Sequence, residues 1–160
     1  MDFHLSLRPE RAADEALLLA LYATTRQREL AMTGWGPAEC DAFVKSQFAA
    51  MRQGYAMSFP EAQFLIIVAN GQAVGRMIVN RTDFEILLVD IILAPEFRRR
   101  KIGSALLKEL MAEAAQGGRP VRLHVYRDDM EAAKFYTRLG FTKSAEQGLH
   151  DLWEWRSPVN

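Results

Sequence analysis

The chain has 160 residues, 49% of them apolar, and its 20 basic and 20 acidic side chains cancel. One domain spanning residues 1–160 with room for a real core is expected, and the zero net charge gives no support to a general nucleic-acid or membrane-surface role. A single cysteine, Cys40, excludes an internal disulfide, and no stretch has signal-peptide or membrane-spanning character, so a soluble cytoplasmic protein is expected.

Phe3, Leu5 and Leu7 alternate with Asp2, His4 and Ser6, the pattern of a half-buried strand that Pro9 ends. From Ala12 to about Leu30 the composition, rich in Ala, Leu and Glu, predicts a helix. A break at Gly34-Trp35-Gly36-Pro37 precedes a second helix, with Pro37 in its first turn. This helix carries Cys40, Phe43, Val44, Phe48 and Met51 on one face and is expected to end near Gly54. Cys40 falls on that stripe, which reads as packing rather than as a reactive thiol. Tyr55 to Glu61 is then a loop.

Phe64–Ala69 and Ala73–Val79 are apolar runs joined by Asn70-Gly71, a strong hairpin signal. A further strand runs from about Glu85 to Leu93 and stops before Pro95. Four cations follow in a row, Arg98, Arg99, Arg100 and Lys101, and a helix starts at Ile102–Gly103 with Ile102, Leu106, Leu107, Leu110 and Met111 on one stripe. The N-terminus of a helix carries about half a positive charge and several unpaired N–H groups, so added cations are unfavourable there. Four of them at an uncapped helix start point to an anionic guest, and a phosphate group is the usual one.

Gly117, Gly118 and Pro120 close that helix. Val121, Leu123 and Val125 alternate with Arg122, His124 and Tyr126 on a two-faced strand. Asp128 and Asp129 can cap a helix through Leu139, with Gly140 at its end, and two strands near Phe141–Ser144 and Leu149–Arg156 finish the chain. The order β-α-α-β-β-β-α-β-α-β-β combines a parallel crossover with an antiparallel hairpin. An α/β (α+β) fold with a mixed sheet of about seven strands and helices on both faces satisfies both.

Two segments carry the chemistry: Asp90 to Ser104 around the basic loop, and Asp129 to Phe141. The first fits an Arg or Gln, two residues, Gly, one residue, then Gly or Ala, with Arg98 and Gly103 at the outer positions. The second fits Asn-x-x-Ala-x-x-x-Tyr-x-x-x-Gly-Phe at Ala132, Tyr136, Gly140 and Phe141. Together they resemble the GNAT superfamily of acetyl-coenzyme A-dependent N-acetyltransferases. Two positions depart from the pattern. Lys101 replaces the first loop glycine, which is costly if the backbone there has positive φ. Asp129 replaces an asparagine, and its carboxylate accepts a hydrogen bond but cannot donate one.

The resemblance implies a mostly antiparallel sheet and an acyltransferase that moves an acetyl group from acetyl-CoA to a primary amine of a small molecule or a protein, by direct attack in a ternary complex. It implies that the backbone of Ile91, Ile92 and Leu93 pairs with the pantetheine, with an N–H there polarising the thioester carbonyl. It implies that Arg98, Arg99, Arg100, Lys101, Ile102, Gly103 and Ser104 cradle the pyrophosphate, and that Asp129 meets the pantetheine arm. Tyr136 would face the thioester sulfur and protonate the leaving thiolate.

The acceptor needs a base, because an alkylamine with pKa about 10.4 is protonated about a thousand to one at neutral pH. His124, on the polar face of its strand, is the first candidate, since an unperturbed imidazole titrates near pH 6.5. Glu85 and Asp90 are alternatives, and Asp90, inside an apolar strand, reads rather as a structural partner of backbone or a nearby arginine. His4 and His150 have no partners at metal-ligand spacing, so no metal is expected. There is no Gly-x-Ser-x-Gly elbow, which leaves serine-hydrolase chemistry unsupported. Beyond the basic loop its helix offers only Lys108 to a nucleic acid. Trp35, Tyr55 and Phe59 surround the early helices, where the family builds its acceptor pocket. Expected partners are therefore acetyl-CoA and an amine, with no nucleic acid or membrane, and sheet edges that allow a homodimer. A non-catalytic CoA-binding regulatory module on the same fold is the alternative reading.

Overall fold

A computed structural model describes residues 3–158, so Asp2 of the first alternating run lies outside the described residues. The strands are β1 (Leu5–Pro9), β2 (Gln63–Ala69), β3 (Gln72–Arg81), β4 (Ile86–Leu93), β5 (Val121–Tyr126), β6 (Thr142–Gln147) and β7 (His150–Trp155). They form one sheet in the order β1-β2-β3-β4-β5-β7-β6. Only β4 and β5 pair in parallel; the other neighbours are antiparallel. The expected mixed, mostly antiparallel seven-stranded sheet is therefore present.

The helices are α1 (Glu15–Thr24), α2 (Gln27–Ala31), α3 (Pro37–Ser58), α4 (Ile102–Gly117) and α5 (Met130–Leu139). Ile102, Leu106, Leu107 and Leu110 of α4 bury against Val79, Ile86, Leu88 and Leu123 on one face of the sheet. Burying each such side chain contributes about 1.5–3 kcal/mol. Gly118, at φ 66°, ends α4 in the left-handed region and donates to the carbonyls of Ala114 and Ala115. On the same face Phe141 is buried, with Tyr136 and Leu139 of α5 packed beside it. The opposite face holds a smaller core, Leu18 and Tyr22 of α1 and Val44 and Phe48 of α3 against Ile66. No helix among the described residues is long and apolar enough to cross a membrane.

Two helix boundaries differ from expectation. The helix expected from Ala12 to Leu30 is broken, with a short 3-10 turn at Ala12–Asp14 and a second break between α1 and α2. At that break the hydroxyls of Thr24 and Thr25 donate to the carbonyls of Leu21 and Tyr22, competing with the helical ladder. The following helix does not stop near Gly54; α3 continues to Ser58 and takes in Tyr55. A helical glycine costs only about 1 kcal/mol, and a half-buried tyrosine one position later offsets that. Cys40 is half-buried, with its Sγ 3.9 Å from the Trp35 carbonyl oxygen.

Candidate active site

The sheet opens along one seam. β4 and β5 pair only at Ile86–Val121, Leu87–Arg122 and Leu88–Leu123. Beyond that point each strand stays with its other neighbour: β4 with β3 as far as Leu93–Gly75, and β5 with β7 as far as Tyr126–His150. The cause lies in β4. Leu88 pairs with Val79 and Asp90 with Ile78, so Val89 is an extra residue. A bulge of this kind bends and twists its strand. Past it, Val89–Leu93 has no strand partner on the β5 side among the described residues, and the backbone polar groups that do not pair with β3 face that opening.

Two residues of β3 hold the far end of β4. A Cβ at Gly75 would lie 2.4 Å from the carbonyl oxygen of Ile92 and 3.0 Å from Leu93 Cδ2. Only glycine fits there, and its absence of side chain lets the strands approach. Arg76, 4% exposed, donates through Nη2 to the carboxylate of Asp90. This confirms the structural reading of Asp90 as an arginine's partner. A buried guanidinium without such a counter-charge would be strongly disfavoured.

The basic loop sits at the end of the gap. Arg99 and Lys101 have φ of 61° and 67°, both left-handed, so the costly alternative at Lys101 is the one realised. Left-handed geometry costs a side-chain-bearing residue about 1–2 kcal/mol. No side chain caps α4, which leaves the N–H groups of its first turn free for a ligand. The side chain of Arg98 turns inward: Nε donates to the Leu93 carbonyl at 2.9 Å and Nη2 to Thr24 Oγ1 at 3.0 Å, tying the loop to β4 and α1. Arg99 lies 3.5 Å from Glu131, both highly exposed, so this pair contributes little. Arg100 lies over the Phe97 ring at 5.7 Å, and the loop borders a surface groove toward Phe3 and Leu5. A Cβ at Gly103 would meet only Phe135 Cζ, at an ordinary 3.7 Å. The protein's own packing does not require that glycine.

Lys101→Gly is expected to raise stability by about 1 kcal/mol by removing the left-handed penalty. For a chain of this length that is about 2–4 °C in Tm. A thermal melt with an unchanged or lower Tm would contradict it.

Tyr136 is wedged between aromatic neighbours, with ring centroids 5.1 Å from Phe135 and 5.5 Å from Phe141. Burial, aided by the negative charges of Asp90 and Asp129, pushes its phenol up to about 12. It is therefore a proton or hydrogen-bond donor at any physiological pH. Asp129 caps α5 by accepting from the Ala132 N–H at 3.0 Å. His124 is the first β5 residue past the paired segment; it is exposed, and its Nε2 lies 3.1 Å from Gln147 Oε1. Glu85 stands at the opposite, closed end of the seam. It accepts from Arg122 at 2.9 Å, and Arg122 is shared with Glu154. Five residues of strand, about 16 Å, separate it from Asp90.

The fold thus gathers Ile91–Leu93, Arg98–Ser104, Tyr136 and His124 around the open seam and leaves Glu85 apart. Sequence reading did not pick out Gly75, Arg76 or the left-handed Arg99. An isolated glycine within a strand was the available signal for the first.

The family of acetyltransferase (GNAT) domains matches residues 60–143, from just before β2 to the start of β6. The chain belongs to this family. No curated protein matches the sequence. Among solved structures, the chain is similar to PaiA N-acetyltransferase of Thermoplasma acidophilum in complex with coenzyme A, at 18% identity and a TM-score of 0.69, covering 98% of this chain and 100% of that one. An acetyltransferase of Streptococcus agalactiae superposes with TM-score 0.65 at 16% identity, covering 97% and 98%. Ard1 of Thermoplasma volcanium gives 0.63 at 20% identity, covering 98% and 99%. At these identities the likeness is one of fold.

Proposed function

We propose that the chain is an N-acetyltransferase that moves the acetyl group of acetyl-CoA to a primary amine by direct attack. The observation that carries this reading is the β4–β5 seam, with a free strand edge on one side, an uncapped helix start at its end and Tyr136 beside it. The free edge of Ile91–Leu93 suits pairing with the pantetheine amides, and an N–H there polarises the thioester carbonyl. The N–H groups from Arg99 to Ser104 and the exposed Arg99, Arg100 and Lys101 side chains receive the pyrophosphate. Arg98 holds that loop in shape. Gly103, which the protein's own packing leaves optional, keeps the helix start open to a close ligand. Asp129, whose Oδ1 caps α5, has its other oxygen left for the pantetheine arm.

His124 is the base, directly or through one water. Among the described residues its side chain bonds a neutral amide, whereas the Asp90 carboxylate is the counter-charge of Arg76. His124 first takes one proton from the ammonium group and passes it to solvent; the neutral amine nitrogen then attacks the thioester carbon, and a second N–H proton passes to His124. Backbone N–H groups stabilise the tetrahedral oxyanion. The C–S bond then breaks, Tyr136 hydrogen-bonds the departing sulfur, and one proton goes to the thiolate. The products are an amide, the free thiol and one proton released to solvent, so that of the two protons the ammonium loses one ends on the thiol.

A thermal-shift titration with acetyl-CoA, followed by thiol-release assays on a panel of amines, tests the reading. Acetyl-CoA at a hundred times its Kd should stabilise the fold by about 2.7 kcal/mol. No shift contradicts the donor assignment, and a shift without thiol release from any amine favours the regulatory module. His124→Ala is expected to flatten the acidic limb of kcat/KM; an unaltered limb removes His124 as the base.

A further inference from the structure

The acceptor's chemical class can be read from the sheet face that carries His124. α1 and α3 pack over β2 and β3, and beyond them His124 and Tyr126 of β5 stand exposed on one face, two residues apart. Tyr126 is 57% exposed and lies against His150 of β7, with ring centroids 4.1 Å apart and planes at 33°. Leu149, 77% exposed, adjoins this pair, and its carbonyl accepts from the Arg127 N–H. On the other side Tyr55 of α3 is half-buried. Burial raises its phenol to about 12, with further effects from Asp90, Arg76 and Tyr126, so all three lie within its electrostatic reach.

Most charged groups along the seam are paired. Arg76 bonds Asp90; Arg122 bonds Glu85 at 2.9 Å and Glu154 at 2.7 Å; Arg156 holds the second oxygen of Glu154 at 2.9 Å. On the adjoining helix, Arg26 bonds the Tyr22 hydroxyl and Glu29. Beside the Tyr126–His150 pair, Arg127 bonds Asp151 at 3.0 Å and Glu146 at 3.5 Å, and Asp128 is exposed. What the face does offer is aromatic surface, which attracts both a flat apolar body and a single cation.

We infer that the acceptor is a primary amine carrying an aromatic body, which stacks on the Tyr126–His150 pair with its nitrogen beside His124. This rests on the acetyl-transfer reading above. Tyr126 is then a specificity-determining residue, while His124 acts on the reacting nitrogen. Spermidine and glutamate fall outside the class, because neither brings a ring to this pair.

The test compares 2-phenylethylamine, n-butylamine, spermidine and glutamate at saturating acetyl-CoA, reading kcat/KM by thiol release. The wild type is expected to favour 2-phenylethylamine over n-butylamine by about fivefold to tenfold, and likewise over spermidine and glutamate. Tyr126→Ala is expected to bring the phenylethylamine-to-butylamine ratio within about twofold of one, chiefly through KM, and Tyr126→Phe to keep the preference. Spermidine or glutamate as the best acceptor, or a ratio that Tyr126→Ala leaves in place, would overturn the inference while leaving acetyl transfer intact. Acetyl-CoA binding with no thiol release from any amine overturns the acetyl-transfer reading itself, and this inference with it.

Discussion

Phenylalanine in place of Tyr136 is expected to lower kcat by about 10²–10³-fold, with a much smaller change in acetyl-CoA affinity. The ring is held by Phe135 and Phe141, so the variant keeps its packing and loses only the hydroxyl. The phenol's position on the pH scale sharpens the role. With the phenol at about 12 and a free thiol at about 8.5, full proton transfer to the thiolate is uphill by about 5 kcal/mol. In the proposed mechanism Tyr136 therefore works mainly as a hydrogen-bond donor to the developing charge, and the thiol's proton comes finally from the amine by way of His124. The pH consequence follows in sign. The active form is the protonated phenol, and a raised value keeps it protonated through pH 10, where an ordinary tyrosine would be half ionised. A rate–pH profile with no Tyr136-dependent fall by pH 10 is expected. A basic limb centred near 10 that vanishes in Tyr136→Phe would contradict it, as would a variant with undiminished kcat.

The second large effect is on stability. Asp90→Ala leaves the Arg76 guanidinium, 5% exposed at its side chain, without its counter-charge. Breaking a buried pair from one side costs about 3–5 kcal/mol, and the 27% exposure of the Asp90 side chain argues for about 3. A chain of this size has about 5–15 kcal/mol in total, so Tm should fall by about 6–12 °C. The double variant Arg76→Met with Asp90→Leu is expected to recover most of that loss, since the cost lies in the stranded charge rather than in the pair's own worth. It should not recover activity, because the pair also fixes the end of β4 that faces the thioester. Full recovery of kcat in the double variant would show that the pair does not position that strand. A single variant as stable as wild type would show that Arg76 finds another partner.

The parts of the site legible in sequence are those whose chemistry is local. Four cations before an uncapped helix are abnormal whatever surrounds them, and the loop at Arg98–Lys101 has the expected place and the expected open helix start. The Asn70-Gly71 hairpin is equally local, and both residues take the positive φ such a turn needs. The seam is a different matter. Its origin is the extra residue at Val89, in a run that is apolar but for Asp90, and nothing in Ile86–Leu93 distinguishes a bulged valine from a paired one. Register also decides Glu85. On sequence it is a carboxylate at the start of the right strand, and only the pairing of Ile86 with Val121 shows that this is the closed end. Asp90 and Arg76 are each visible as charges in apolar strands, but the antiparallel register that brings them together is non-local. Lys101 could be read two ways until its φ was known, and α3 ran through Gly54 because packing of Tyr55 outweighs one glycine's entropy.

Hydrogen exchange with and without acetyl-CoA tests the central claim, that the β4–β5 seam and the basic loop form the donor site. Saturating acetyl-CoA is expected to slow exchange at the amides of Val89–Leu93 and Arg99–Ser104 and to leave the edge strand β6 unchanged. Exchange at both segments that acetyl-CoA leaves unaltered, or protection confined to other strands, would contradict it.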